Sequence, residues 1–520
     1  MKDSELKIQT KKAITYIPKI SFNSPWIIII IFSVLGLIGI LNHSMWRDEL
    51  NPWLIVRDSE SFGDLIANIR YEGHPVLWYF SLAILRKIAD TPLVMQIFHL
   101  IIAIISVAIF CLCSPFKYQQ KILFTFGFYP FYEYCLISRN YAFSILFIFT
   151  FCTIFSSRKT TYIYLAVILG LLANSNAYAL FVSFSLLLTL LVEFCFDSQH
   201  RKQYFNQSRI FDLFLSIAIV VFSYILSIYI IIPPADSYLH SGLNNNRWLI
   251  ELDIHNLLKS ISRLFASYFL IIPHKRWLDL IICNLMGIFV VALTSLKLCK
   301  KPYPLFLYII GNFVILAFTY LRFAGTTRHL GHFYLVFIAA LWLESYYQES
   351  TFLTNKFSIG TNTIKLVKKW HHIVFMLILY IQLFVGIYSF SRDIIIPFSA
   401  SRETARYIQE SQLDQEFIVA SRDANMAPLS GYLNRKFYYP ELQGMGSFTL
   451  FNKERQNVEQ SEILEQISSL LKNQEDKNRV LLILNKKLNP NRNDLQIIPI
   501  KDFKRAWVDS ERYYLYLISH

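Results

Sequence analysis

At intervals along the chain charge almost disappears for about 20 residues at a time, and this patterning constrains the fold more than any motif does. Trp26–Leu41, Ile210–Ile232, Leu278–Leu296 and Ile373–Phe390 are nearly free of charged residues. Each is about as long as the helix that crosses a bilayer core. Lipid offers backbone N–H and C=O groups no partner, so such runs must be helices that make their hydrogen bonds internally. Composition agrees: 54% of the 520 residues are hydrophobic, only 17% are charged, and the mean hydropathy is +0.39. A soluble domain cannot hide that much apolar surface. The first run follows a polar segment and closes on no small-residue cleavage pattern, so it reads as a signal anchor.

The net charge of +14 does not indicate a nucleic-acid partner. Lys and Arg gather in short clusters between apolar runs, at Lys7–Lys19, Arg158–Lys159, Arg201–Lys202, Lys297–Lys301 and Lys365–Lys369. That is the positive-inside pattern, which holds these loops in the cytoplasm. Read from both ends, it makes residues 1–24 a cytoplasmic tail, places the loop 43–74 outside, and leaves 393–520 outside after a crossing at 371–391. Short apolar stretches between 75 and 200 blur the count, and about eleven to thirteen crossings are expected. The predicted fold is a polytopic α-helical membrane module, 25–392, followed by a small extracytoplasmic α/β domain, 393–520.

Within that tail, Phe417–Ala420, Val480–Leu484 and Tyr513–Ile518 read as strands, and helical patterns fit 401–411 and 454–473. Apolar residues at helical spacing in 43–74 and in 251–272 predict short helices lying on the membrane surface. The seven cysteines sit in or beside apolar runs and read as packing residues.

The densest chemical signal lies just past the first run, at Trp46-Arg47-Asp48-Glu49. Charge next to hydrocarbon is costly and needs a reason. A carboxylate there can take the proton of an acceptor hydroxyl or amine as it attacks. The plainer alternative is an interfacial anchor at a helix end. Glu72 and His74, in Tyr71-Glu72-Gly73-His74-Pro75, can orient a substrate or join Asp48 and Glu49 around a divalent cation. Equally, Gly73 and Pro75 can simply end a loop and open a helix.

Cations beside aromatic residues recur at Arg139 with Tyr141, at Arg322, at Arg328-His329 and at His274-Lys275-Arg276, all on the expected side of Asp48. Arginine's planar fork suits phosphate, while snorkelling to the interface is the other reading. No Walker, Rossmann or zinc-protease pattern occurs. Polar groups on one face favour surface chemistry over transport. A flippase path would have to use Asn174, Ser175, Asn176, Asn284 and Asn312, which serve as well as interhelical glue. A non-catalytic scaffold is the remaining alternative.

Five stretches in order, MWRDELNPWL, YEGHPVLWY, YEYCLISRNYA, TTRHLGHFY and SRDANMAPLSGYL, resemble the GT-C superfamily of membrane glycosyltransferases, and within it a bacterial subgroup. That superfamily includes protein O-mannosyltransferases and lipid A aminoarabinose transferases. The likeness spans nearly the whole chain. It implies a bacterial plasma-membrane enzyme that moves a sugar from a polyprenyl-phosphate donor to an extracytoplasmic lipid, glycan or protein. Carried over by residue, it implies that Asp48 is the catalytic base and that Glu49 shapes the acceptor site. Arg139, Arg322 and Arg328 match phosphate-binding residues by type and side of the membrane. Arg47, Glu72, His74, Tyr141 and His329 complete the candidate substrate-binding set. Some members use a divalent cation and others do not, so a metal held by Asp48, Glu49, Glu72 and His74 stays open.

Overall fold

The computed structural model describes residues 24–205, 209–237, 253–273, 276–323, 325–473, 479–489 and 492–520. The expected cytoplasmic tail before Ser24, and His274 and Lys275, lie outside the described residues.

The protein is a multi-pass helical bundle with a sheet domain seated on one end. Among the described residues, eight helices are long and apolar enough to cross a membrane, from Pro25–Asn42 to the 35-residue Thr361–Ile395. Two shorter apolar helices, Leu77–Arg86 and Ile163–Ala173, lie among them. Eight candidate spans fall short of the eleven to thirteen crossings expected, and the two shorter helices fall where the apolar runs were too short to count. The bundle is built around a central helix, Thr327–Leu343, whose residues from Leu330 to Leu343 are all buried. Peripheral helices instead turn large apolar residues outward: Phe211, Phe214 and Phe222 of Ile210–Ile231 are each about 70% exposed, a lipid-facing pattern.

Among the described residues the basic clusters collect at one end of the bundle. There Arg158 pairs with the buried Glu193 at 2.9 Å, Lys297 with Glu344, and Lys300 with Glu349 at 2.9 Å. The loop 43–74 and the sheet domain share the other end.

Six strands form the sheet: β1 (Phe417–Ala420), β2 (Phe437–Tyr439), β3 (Gly444–Gly446), β4 (Val480–Leu484), β5 (Gln496–Phe503) and β6 (Tyr513–Ser519). Their order is β3-β2-β1-β4-β6-β5, with β1 parallel to β2 and β4 and the remaining pairs antiparallel. β1 and β4 are continuous apolar runs because both faces are covered. Ile418, Ala420, Leu481 and Ile483 pack against the helices Ser401–Glu410 and Asp423–Leu433. Val419, Val480, Leu482 and Leu484 pack against Gln460–Asn473.

Helices do form in 43–74, at Arg47–Asp58 and Phe62–Ile69, but the first does not lie on the membrane. Residues Glu49 to Arg57 are all buried. It is sandwiched between the bundle and the helix Asp423–Leu433, where a Cβ on Gly431 would stand 3.2 Å from Leu50. Ile254–Phe269 likewise packs into the bundle, with eight residues from Ser260 to Phe269 buried. Both are amphipathic because one face meets protein, a pattern indistinguishable in sequence from one that meets lipid.

Candidate active site

The sandwiched helix begins at Trp46, whose N–H is capped by the Glu49 carboxylate at 3.2 Å. Asp48 and Glu49 thus fall in its first turn, where the helix dipole favours negative charge. Pro52 stands four residues after Asp48 and has no N–H to give it, so the Asp48 carbonyl is left without its helical partner. Arg139 takes that carbonyl instead.

The two neighbouring carboxylates face different surroundings. Asp48 is 32% exposed, and its Oδ2 accepts from Arg328 Nη1 at 2.8 Å. Arg47 Nε lies 3.6 Å from Oδ1. Burial alone would push the Asp48 carboxyl up, but Arg328, Arg139 and Arg47 together hold it below its usual range. Glu49 has no exposed surface. Its Oε1 accepts from the Ser138 N–H at 2.7 Å, and its Oε2 lies 2.9 Å from His43 Nε2. The other nitrogen of His43 is 2.6 Å from Asp393 at the end of the long helix. Burial opposes a charge on His43, yet Asp393 and Glu49 on either side push it up to about 10. Glu49 is therefore a strut within a buried carboxylate–imidazolium–carboxylate bridge, turned away from the face that Asp48 presents.

Around Asp48 the remaining side chains are fixed by their neighbours. Arg139 Nη2 donates to His74 Nε2 at 3.0 Å, so that nitrogen accepts and the proton sits on Nδ1. Burial and Arg139 drive His74 down to about 3, keeping it neutral. Its Nδ1 is buried with no partner, a donor left over in the site. Gly73, at φ 66°, supplies the left-handed turn that brings His74 in. Glu72 accepts from Asn51 at 2.8 Å and Tyr79 at 3.4 Å. Burial, offset by Arg139, pushes its carboxyl up to about 7.

Arg328 sits in the first turn of the central helix, behind Gly325 at φ 70°. Its guanidinium lies 4.9 Å from the Trp46 ring centroid and 3.8 Å from Glu133. His329 Nδ1 accepts from the Thr326 N–H at 2.9 Å, so its Nε2–H donates to Tyr141 at 2.8 Å.

Of the residues singled out in the sequence, Arg47, Asp48, Arg328, Arg139 and His74 are joined by these contacts, His74 meets the Tyr141–His329 pair edge-on at 6.3 Å between ring centroids, and Glu72 feels Arg139 only through its charge. Arg322 is exposed at the C-terminal end of Pro302–Leu321, and Arg276 is exposed ahead of Trp277–Leu298. Asp48, Glu49, Glu72 and His74 do not converge as a ligand set: Glu49 is buried against His43 and Arg139 stands beside His74. Among the described residues no group of three or more His, Cys, Asp or Glu is placed to hold a metal ion. Sequence reasoning missed His43, Glu133, Asp393 and Glu511. Glu133 and His43 sit in or beside the quoted stretches and could have been found there. Glu511 accepts the Arg47 N–H at 2.8 Å from the far end of the chain, and nothing local announces it.

Bundle and terminal α/β domain together match, over nearly the whole chain, the fold of a solved membrane protein. The particular likeness is to the crystal structure of ArnT from Cupriavidus metallidurans bound to undecaprenyl phosphate, with a TM-score of 0.52 at 10% identity over 94% of this chain and 97% of that one. No family model matches, and no curated protein matches in sequence.

Proposed function

We propose that this protein is a membrane glycosyltransferase that moves a sugar from a polyprenyl-phosphate donor to an extracytoplasmic acceptor, with Asp48 as general base. The observation that carries the reading is Asp48 itself: a partly exposed, ionised carboxylate held by Arg328, with Arg139 and neutral His74 one residue's width away. Undecaprenyl phosphate in the like-folded ArnT supports the donor class.

The steps balance without further reagents. The donor phosphate enters among Arg328 and Arg139 and competes with Asp48 for them. Losing that pairing, the carboxylate regains basicity as the donor binds. The acceptor oxygen or nitrogen attacks the anomeric carbon, its proton passes to Asp48, and the bond from that carbon to the phosphate oxygen breaks. The arginines hold the charge that develops on the leaving phosphate. Glu49, through His43, fixes the helix turn that aims Asp48, and is a positioning residue. Of the asparagines that a flippase path would need, Asn174 donates to the Gly170 and Ser223 carbonyls, Asn176 to Ser144 and Asn312 to the Tyr308 carbonyl, while Asn284 is buried with neither amide atom partnered.

The test is transfer by purified protein in nanodiscs from a panel of radiolabelled polyprenyl-phosphate sugars to a membrane extract, run beside Asp48→Asn. Transfer that depends on Asp48 is the expected result. Labelled lipid crossing leaflets with no transfer would replace the reading with a flippase.

A further inference from the structure

The helix Pro25–Asn42 has 18 residues, roughly 27 Å at ~1.5 Å per residue, and is only just long enough to cross a bilayer core of ~30 Å. Both of its ends therefore lie at a membrane boundary. At the sheet-domain end it passes straight into His43, whose Nδ1 is 2.6 Å from Asp393 of the long helix. That contact sets Arg392 and Asp393 at the same boundary, although the long helix itself, at 35 residues, is longer than the core is thick.

Exposure marks which side of the long helix meets lipid. Phe384, Ile387, Tyr388, Ser391, Ile394 and Ile395 are all exposed and recur at helical spacing, which puts them on one face. Arg392 borders that face, four residues after Tyr388 and three before Ile395.

The sheet domain meets the boundary on this same side. Between β5 and β6 the chain turns at 504–507, where the Trp507 N–H donates to the Pro397 carbonyl at 2.9 Å. The Arg392 guanidinium lies 3.2 Å from the centroid of the Trp507 ring, so one side of the ring is seated on the end of the long helix. The residue is still 51% exposed. Beside it, Arg505 Nη2 donates to the Ile395 carbonyl at 2.6 Å, where the helix dipole favours a cation. Arg505 is exposed, and a guanidinium has five N–H donors, so most of its fork is left over.

An indole, apolar in its body and polar at its N–H, suits the junction of hydrocarbon and water, and arginine suits the level of the headgroup phosphates. Trp507 and Arg505 supply both at the level where two membrane-crossing helices end. The occupant follows from continuity: the face that runs from Phe384 to Ile395 is the one a crossing helix turns to lipid, and Trp507 extends it.

We propose that the turn 504–507 anchors the sheet domain in the membrane interface, with the Trp507 ring beside the upper acyl groups and the Arg505 guanidinium on a phospholipid phosphate. The anchor bears on the site through the chain itself. The Val508 N–H donates to the Phe398 carbonyl at 3.1 Å, and Glu511, four residues beyond Trp507, accepts the Arg47 N–H. The bilayer thus holds the sheet domain at a fixed height over Asp48. The proposal does not depend on the transferase reading.

The test uses the full chain labelled with fluorotryptophan, in nanodiscs of phosphatidylglycerol and phosphatidylcholine, with fluorine NMR as the readout. Loss of one resonance in Trp507→Phe, or in Trp507→Tyr should that variant fail to fold, identifies the Trp507 signal. Phosphatidylcholine spin-labelled near the glycerol end of an acyl chain should broaden that signal about threefold more than a water-soluble gadolinium chelate does. The reverse order would place the indole in water and overturn the proposal. Protection from both probes would mean that a second copy of the chain covers the ring, and would overturn it as well. Arg505→Gln should lower the ratio of lipid to water broadening about twofold, and an unchanged ratio would overturn the phosphate contact.

Discussion

Both ends of the bundle bury charge, but to different effect. At the Asp48 end, carboxylates and arginines form a network in which Asp48, with Arg47 beside it, is left partly open. At the other end, Arg158 and Glu193 are each 4% exposed and satisfy one another, with Arg158 stacked on Phe155 at 3.9 Å. A closed pair can only hold helices together. An open one can exchange partners with a ligand. The lesson is that exposure of one member, more than the number of charges, separates a working cluster from a structural one.

Substitutions at the two ends test this contrast. Asp48→Asn keeps the shape of the side chain and removes its basicity, so transfer should fall about 10²- to 10⁴-fold with thermal stability nearly unchanged. A comparable loss of stability would erase the distinction. Glu193→Gln should do the reverse: leaving Arg158 buried without its charge partner costs about 3–5 kcal/mol, measurable by unfolding, while each folded molecule transfers at the wild-type rate. Arg328→Lys retains charge and loses the fork, so transfer should drop about 10- to 100-fold, mostly in kcat. A pure rise in KM would move Arg328 from the leaving phosphate to ground-state binding.

A further test concerns His43 and pH. Its folded value, about 10, lies above the ordinary histidine value of 6.5. The stability it contributes is therefore fully present below about pH 6.5 and is lost as pH rises through 10. The gap in unfolding midpoint between wild type and His43→Gln should be largest at pH 6 and should close by pH 10. A gap independent of pH would mean that His43 is neutral in the fold.

Much of the bundle was legible because lipid enforces one rule, internal hydrogen bonding over about 20 apolar residues. That rule weakens for Leu77–Arg86 and Ile163–Ala173, which are only 10 and 11 residues long. In the tail, β1 and β4 announced themselves as apolar runs, whereas β2, β3 and β5 are short or edge strands with mixed burial. The helix Asp423–Leu433 carries an internal Pro428 and was hidden by it. At the site, Asp48 stood out because charge beside hydrocarbon is conspicuous. Its adjacent Glu49 looked the same in sequence, and only the fold shows that His43 and Asp393 claim it. Partners hundreds of residues apart leave no mark in local spacing.

The contact between the Arg47 N–H and Glu511 spans 464 positions, and that separation has a consequence for the order in which the molecule is made. Asp48 leaves the ribosome long before Glu511, the residue that secures the turn beside it. Between those two events the bundle must assemble and the sheet domain must fold. A chain that stops short of Glu511 therefore holds Asp48 without the contact that secures the turn beside it.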